Sequence, residues 1–323
     1  MAVRQLMGQE IARFSSGFGH VVRSVLGVGQ DGQPLLFTSV PNGSDVSCWD
    51  IRTGGRVWCD NEGMSGCNDR ALMRLPDGGL RLACATEDGV EWWDALTGRR
   101  RPEMTWEEQT IWALTGGVLP DGHPILLGAG HNGKMYRWDA ASGDLLGTSP
   151  SNADRGSMMA VGFVSFPGHA GVVVSGDDDG RIWRWNPVNG DQMGEPIEGH
   201  GCQVDIIRGL PVPGKPLFVS SDQEGVLKRW NAVTGAPIGS AVETGSDVFS
   251  LATASVGGVP VLFAAGADET VRAWDANTGE PLDLRLRSAV VSALTQPDGT
   301  ALVATSTPQG EIAVHTYSPL TRG

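Results

Sequence analysis

A short motif recurs six times along the 323-residue chain, and it constrains the fold more than any other feature of the sequence. In each copy an aliphatic residue or methionine precedes a tryptophan by three positions, aspartate or asparagine follows the tryptophan directly, and glycine follows it by five. The tryptophans are 44 to 47 residues apart: Trp49, Trp93, Trp138, Trp185, Trp230 and Trp274. A degenerate seventh copy has Ile312 three positions before His315. A repeat this regular indicates an architecture of equivalent modules.

One period has room for four short strands. In the fifth unit, residues 216–221 are apolar and fit a second strand, 226–231 alternate and fit a third, and 236–242 fit an outer strand. Residues 248–254 then fit the innermost strand of the next unit. A period near 45 residues with tryptophan at a strand end is the spacing of a four-stranded propeller blade. The sequence therefore predicts an all-β fold, a seven-bladed β-propeller with four antiparallel strands in each blade.

The phase of the repeat predicts how the ring closes. The seventh unit ends soon after its third strand, around His315, and no fourth strand follows. Near the other end of the chain, Met7-Gly8 matches Met193-Gly194 of an outer strand. We therefore expect residues 3–12 to complete the last blade, so that no sheet stack is left open. The chain, residues 1–323, is then one propeller domain whose inner-strand units begin near positions 20, 68, 110, 157, 203, 247 and 289.

These motifs resemble those of the WD-repeat (WD40) family, and the resemblance covers essentially the whole chain. The segment Thr234 to Gly239, which follows Trp230-Asn231, resembles the repeats of prokaryotic stand-alone members. The resemblance implies a β-propeller that presents loops from its blades to a protein partner and carries out no reaction itself.

The family's blades are braced by a Gly-His pair before the inner strand, a hydroxyl on the second strand, an aspartate in the next turn and the tryptophan. Gly-His pairs occur here at His20 and His200, and the turn acid six positions before tryptophan occurs at Asp179 and Asp268. The resemblance implies that these residues and the six repeat tryptophans are structural, since buried polar groups need such partners. The fifth blade carries candidates for every part: His200, Ser220 or Ser221, Glu224 and Trp230.

The resemblance also points to a candidate binding surface at the start of each inner strand. In this family the residues beside the first aliphatic residue of that strand often face the upper opening of the channel and contact partners. Blade 2 has lost the aliphatic residue, and blade 7 is ambiguous between Val291 and Ser292. Applied to this chain, the rule selects Arg23, Arg70, Trp112, Met159, Asp205 and Phe249.

These six side chains have two interpretations. Met159 and Phe249 fit packing between blades as well as they fit binding. Arg23 and Arg70 fit packing poorly, because an unpaired buried guanidinium is costly, and arginine and tryptophan dominate the energetics of interfaces. The turns between the second and third strands would form an outer rim of Glu87, Asp88, His131, Asp178 and Gln223.

Charge and hydropathy exclude several classes of function. The net charge is −13 and the isoelectric point is near 4.8, which argues against a duplex-binding protein because such proteins usually carry a basic face. No apolar run approaches the ~18 residues of a membrane span, and the first ten residues lack the apolar core of a signal peptide. The five cysteines form no Cys-x-x-Cys pair and are expected to be reduced thiols in the cytoplasm.

Sequence motifs for catalysis and metal binding are absent. The chain has no Gly-x-Ser-x-Gly elbow, no phosphate-binding Gly-x-x-x-x-Gly-Lys-Ser/Thr loop, and no His or Cys cluster with zinc spacing. The run Asp177-Asp178-Asp179-Gly180 resembles the start of a calcium loop, but Val188 stands where the loop needs glutamate. We therefore expect no catalytic residue, no metal and no cofactor, although residues from different blades could still form an acid–base pair at the channel.

The favoured function is a non-catalytic scaffold, a monomer that binds a protein or peptide at the top mouth of the channel. Two arginines beside aromatic side chains, in so acidic a protein, point to an acidic or aromatic segment as the ligand. Nucleic acid and membrane are not expected as partners. One alternative is a small-molecule or glycan pocket in which Trp112 and an arginine clamp the ligand. The other is an enzyme that uses an acid at the channel mouth, such as Asp205.

Overall fold

The computed structural model describes residues 6–17, 23–40, 45–61, 66–150 and 156–318, and there it forms seven four-stranded antiparallel sheets. The strands, numbered in chain order, are β1 Met7–Ser15, β2 Arg23–Val28, β3 Pro34–Ser39, β4 Val46–Asp50, β5 Gly55–Asp60, β6 Asp69–Arg74, β7 Leu80–Ala85, β8 Gly89–Asp94, β9 Trp106–Glu107, β10 Ile111–Val118, β11 Pro124–Gly130, β12 Met135–Asp139, β13 Leu145–Thr148, β14 Met158–Val164, β15 Val172–Asp177, β16 Arg181–Trp185, β17 Ile197–Glu198, β18 Val204–Gly209, β19 Leu217–Asp222, β20 Val226–Asn231, β21 Val242–Glu243, β22 Val248–Val256, β23 Val259–Gly266, β24 Thr270–Asp275, β25 Pro281–Arg287, β26 Val290–Thr295, β27 Ala301–Ser306 and β28 Glu311–Ser318. A 3₁₀ turn, Pro102–Met104, precedes β9.

Each blade takes four strands in order from the channel outwards: β2–β5, β6–β9, β10–β13, β14–β17, β18–β21, β22–β25, and β26–β28 with β1. The predicted seven-bladed β-propeller is therefore confirmed. Within the described residues, no helix has the length and apolar character needed to cross a membrane.

The N-terminal strand closes the ring, as the sequence predicts. β1 pairs antiparallel with β28, from Met7 opposite Ser318 to Ser15 opposite Glu311. The strand runs three residues beyond position 12, and residues 3–5 of the predicted segment lie outside the described residues. Near the end of β1, the ring of Phe14 lies 5.2 Å from that of Trp49, so β1 also packs against blade 1.

The recurring motif has a simple structural cause. The tryptophan is the last or next-to-last residue of the third strand and is buried between blades, and the aspartate or asparagine after it caps the next turn. For example, Asp139 Oδ1 accepts the N–H groups of Ala141 and Ser142 at 2.7 and 3.0 Å. The glycine five positions after each tryptophan has a φ between 68° and 82°, the left-handed region that favours glycine. Motif and turn are thus one unit that starts the outer strand.

The core consists of apolar layers between neighbouring blades. Leu35 and Phe37 of blade 1 pack against Leu82 and Trp93 of blade 2, and similar clusters follow around the ring. The indole N–H of Trp185 donates to the hydroxyl of Ser175 at 2.9 Å, which satisfies a buried donor.

The fifth blade contains a buried polar network in which one member differs from expectation. His200 Nδ1 lies 2.7 Å from Asp222 Oδ2, its Nε2 lies 2.7 Å from Ser220 Oγ, and Trp230 Nε1–H donates to the same hydroxyl at 2.8 Å. The acid is thus Asp222, at the end of β19, and not Glu224, which is exposed in the turn. Asp222 can do this because its other oxygen accepts two turn N–H groups, from Glu224 and Val226.

The two predicted turn acids do not join such a network. Asp179 is exposed and pairs with Arg181, while the buried acid of that blade is Asp177, whose Oδ2 accepts the indole N–H of Trp183 at 2.8 Å. Asp268 pairs with Arg272 at 2.6 Å across its own turn. His20, the other histidine that we expect to be structural, lies outside the described residues.

Candidate functional site

Four inner strands begin with a β-bulge, and the extra residue of each bulge is one of the predicted binding residues. The register of β10, β14, β18 and β22 against the second strand skips one position near the start of each strand. A bulge opposes two residues to one, so the extra residue leaves the regular alternation of the strand. The residues skipped are Trp112, Met159, Asp205 and Phe249.

Strand register also shows which positions are equivalent in the other blades. The residue that follows each bulge pairs at one common level of the ring, at Arg23, Asp69, Ala113, Ala160, Ile206, Ser250 and Val290. Arg23 is therefore one position beyond the bulge level and Arg70 is two beyond it. The equivalents of Trp112 are Asn68 in blade 2 and Ala289 in blade 7, which corrects the choice between Val291 and Ser292.

A cavity of about 830 Å³ opens at this end of the channel, and we call it the mouth. Five of the six predicted top-face residues line it: Arg23, Trp112, Met159, Asp205 and Phe249. Sequence reasoning missed Asn68, Gln203, Ile206, Val248, Ala289, Val290 and Pro308. The equivalence of Asn68 and Ala289 follows from the register alone, and no motif in the sequence marks them.

Arg70 lies outside the mouth, and this placement corrects the expectation. Its side chain is buried, with the residue 7% exposed, and Nη2–H donates to Ser39 Oγ of blade 1 at 2.5 Å. It lines a second cavity of about 260 Å³, deeper in the channel, which we call the channel cavity. β6 pairs with β7 without a register shift, so Arg70 occupies the place of the buried Leu114 in blade 3.

The aromatic side of the mouth is held by a residue of the rim. Trp112 Nε1 lies 3.4 Å from Nδ1 of His131, and the two rings meet edge to face with centroids 6.1 Å apart. His131 is anchored in turn by Ser157, whose hydroxyl donates to its carbonyl oxygen at 2.8 Å. Phe249 makes no comparable ring contact among the described residues and is 51% exposed. Phe249 therefore presents an exposed apolar surface in the lining of the mouth.

The polar residues of the mouth centre on Asp205, which lies in blade 5 between Met159 of blade 4 and Phe249 of blade 6. Gln203 Nε2–H donates to Asp205 Oδ1 at 2.7 Å. Burial raises the pKa of Asp205, while the hydrogen bond from Gln203 and the charge of Arg23 act in the opposite direction. The carboxyl is therefore held by an amide, which neither gives nor takes up a proton at ordinary pH.

The rim residues lie in exposed turns, as their positions in the repeat predict. Glu87, Asp88, Asp178 and Gln223 are all exposed, and three of them are carboxylates. With Arg70 buried in the channel, Arg23 is the one arginine among the described residues that line the mouth. Charge at the mouth thus favours an acidic ligand less than the sequence alone indicates.

No group of three or more histidine, cysteine, aspartate or glutamate side chains placed to hold a metal ion occurs in the described ranges. No protein-family model matches the chain, and no curated protein matches it.

Proposed function

We propose that this protein is a non-catalytic interaction module of the WD-repeat type that binds a protein or peptide segment at the mouth. The observation that carries the proposal is the set of four bulges, which present Trp112, Met159, Asp205 and Phe249 to one cavity. Residues that leave the strand alternation contribute little to the sheet, and aromatic side chains supply much of the binding energy of interfaces.

The WD-repeat assignment is supported by the motif, the seven blades, the closing N-terminal strand and the network of His200, Ser220, Asp222 and Trp230. The protein-interaction role is an inference from that type of architecture and from the mouth.

The ligand that the mouth fits best is an apolar or aromatic side chain followed by a polar group. Trp112, Met159 and Phe249 supply apolar surface, while Gln203 and Asp205, in the blade between those of Met159 and Phe249, offer hydrogen-bonding groups. Because each blade contributes a different residue, the mouth is one asymmetric site. Repeated glycan pockets would need similar residues in successive blades.

A small-molecule ligand is the second candidate, and the size of the cavity favours it. About 830 Å³ lies within the ~300–1,000 Å³ of common ligand pockets. Acid–base catalysis at Asp205 has less support, because its hydrogen-bond partner is the amide of Gln203.

The test is a peptide-display selection on the folded protein, followed by calorimetric titration of the enriched peptides. We expect Phe249→Ala to weaken binding by at least ~10-fold, as truncation of an interface hot spot does. Leu145→Ala is the matched control, because Leu145 is also an exposed apolar residue but lies on the outer strand β13. The proposal fails if no peptide is enriched, or if both variants bind alike. A small molecule that raises the melting temperature of the wild type but not of Phe249→Ala would favour the second candidate.

A further inference from the structure

The channel cavity lies directly beneath the mouth and differs from it in charge. Arg23, Ile206 and Phe249 line both cavities, so the two adjoin. The channel cavity is also lined by Arg70 and Arg208, which makes three arginines around about 260 Å³. This concentration of positive charge occurs at the axis of a protein whose net charge is −13.

One carboxylate faces these three cations within the described lining. Asp69 Oδ1 lies 3.6 Å from Arg23 Nη1, and its other oxygen accepts the backbone N–H of Leu114 at 3.0 Å. Arg208 donates from Nη1 to the carbonyl of Ile207 at 2.8 Å, which is a neutral partner. Asp69 can therefore balance one arginine, and the other two lack a counter-charge in the lining.

The side chain of Arg70 gives the strongest indication that this cavity binds an anion. The residue is 93% buried and bonds Ser39 through Nη2, but its Nε and Nη1 have no hydrogen-bond partner within the described part of the chain. Arginine keeps its proton in proteins, so this charge cannot be removed by titration. A buried donor without a partner destabilises the fold, and it does so more strongly when the group is charged.

The surroundings of Arg208 agree with this picture. Burial lowers the pKa of Arg208, the charge of Asp69 opposes that effect, and the charge of Arg23 adds to it. Arg23 and Arg208 line the same cavity and repel each other, and an anion between them would relieve the repulsion.

We propose that the channel cavity binds an oxyanion, held by the guanidinium groups of Arg23, Arg70 and Arg208. Guanidinium is the side-chain group that matches the oxygens of carboxylate and phosphate best. The volume suits an ion of phosphate size with a few waters, each of which takes up about 30 Å³ in the liquid. The site does not depend on the function proposed for the mouth, although the mouth is its entrance.

The oxyanion can come from two sources with the same chemistry. It is either a free ion such as phosphate, or the carboxylate of a segment that has entered through the mouth. Titration with inorganic phosphate and with succinate separates them: saturable phosphate binding indicates a free ion, and saturable binding of succinate alone indicates a carboxylate.

The test compares the wild type with Arg70→Gln, Arg208→Gln and a control, Arg52→Gln, whose side chain is 57% exposed at the turn of blade 1. In the wild type we expect phosphate or succinate to raise the melting temperature beyond the effect of chloride at equal ionic strength. Both channel variants should raise the Kd by at least ~10-fold, and the control should leave it unchanged. Glutamine lacks the charge that has no counter-ion, so without phosphate Arg70→Gln should melt no lower than the wild type.

Two results would overturn the proposal. One is the absence of saturable binding of either anion to the wild type, or binding that survives both channel variants. The other involves Cys67, whose sulfur lies 3.8 Å from Arg70 Nη2. A hydrogen bond from Cys84, aided by the charge of Arg70, lowers the pKa of the Cys67 thiol. Phosphate binding that appears only in Cys67→Ser would show that this thiolate, and no external anion, is the counter-ion. Electron density from selenate between the three guanidiniums would locate the site directly.

Discussion

Arg23 of blade 1 and Asp69 of blade 2 form an ion pair across the inner edge of the mouth, with 3.6 Å between Nη1 and Oδ1. The two residues occupy the same level of the ring, each opposite the last residue of its second strand. Their pairing joins adjacent blades where the mouth meets the channel cavity. Within the described lining of that cavity it also leaves Arg70 and Arg208 without a carboxylate of their own.

Asp69→Asn should expose this imbalance. The amide keeps an oxygen for the N–H of Leu114 but removes the one negative charge of the described cavity lining. We expect the free energy of unfolding to fall by about 1–3 kcal/mol, less than for a fully buried pair because the Arg23 side chain is 39% exposed. Phosphate should restore part of the loss. Chemical denaturation with and without phosphate measures both effects, and Asp178→Asn on the exposed rim should show neither.

A matched pair of serines tests the network of blade 5. Ser220 bonds both His200 and Trp230, whereas the hydroxyl of its buried neighbour Ser221 has no partner among the described residues. Ser220→Ala should cost about 2–3 kcal/mol, because two buried groups lose their partner. Ser221→Ala should be close to neutral. Equal losses in urea denaturation would show that the hydroxyl bonds of Ser220 do not brace this blade.

Because β1 closes the ring, deleting it should destabilise the protein. Deleting residues 1–15 removes Phe14 and Ala12 from the contact with blade 1 and leaves β28 as a free edge. We expect stability to fall by about 2–4 kcal/mol and the chain to self-associate through that edge. Thermal melting and size-exclusion chromatography are the measurements. A deletion of residues 1–5, which precede β1, is the control, and an unchanged melting temperature in the longer deletion would contradict closure.

At the start of β22, the bulge places one of two nearby apolar residues at the mouth and the other in the core. Phe249, the bulge residue, is half exposed, while Leu251 is buried in the core between blades. Phe249→Ala should change stability by no more than about 0.5 kcal/mol, and Leu251→Ala should cost about 2–5 kcal/mol. Circular dichroism melts of the two variants check this difference. A large loss in Phe249→Ala would place that side chain in the core and remove it from the mouth.

Two histidines predict how stability depends on pH. Burial lowers the pKa of His200 and of His315 below 6.5, although a carboxylate beside each, Asp222 or Glu10, acts the other way. Below pH 6.5 the unfolded chain therefore binds protons that the folded protein resists, so these residues stabilise the fold above pH 6.5 and destabilise it progressively below. In chemical denaturation, the free energy of unfolding should decrease as the pH is lowered from 7.5 to 5. His315→Gln should reduce that slope, and a slope identical to the wild type would refute the assignment.

The inner strands show which parts of the fold and of the mouth can be predicted from the sequence. Spacing predicts seven blades and the strand that closes the last one, because each tryptophan must end a third strand and be buried. The resemblance to WD-repeat proteins, and not the spacing, selects Trp112, Met159, Asp205 and Phe249, which the structure brings to one cavity. It fails at Arg70, since a bulge inserts one residue into some strands and leaves no mark in the sequence.

The sequence by itself thus determined the propeller, because a repeated local unit can only bury its apolar faces against copies of itself. Which residues meet at the axis was decided by the tertiary structure. One position of register turns a side chain from the mouth to the channel or the core, as Asn68, Asp69 and Arg70 show on three consecutive residues. Their surroundings come from other blades, more than thirty residues away along the chain, so only the closed ring defines them.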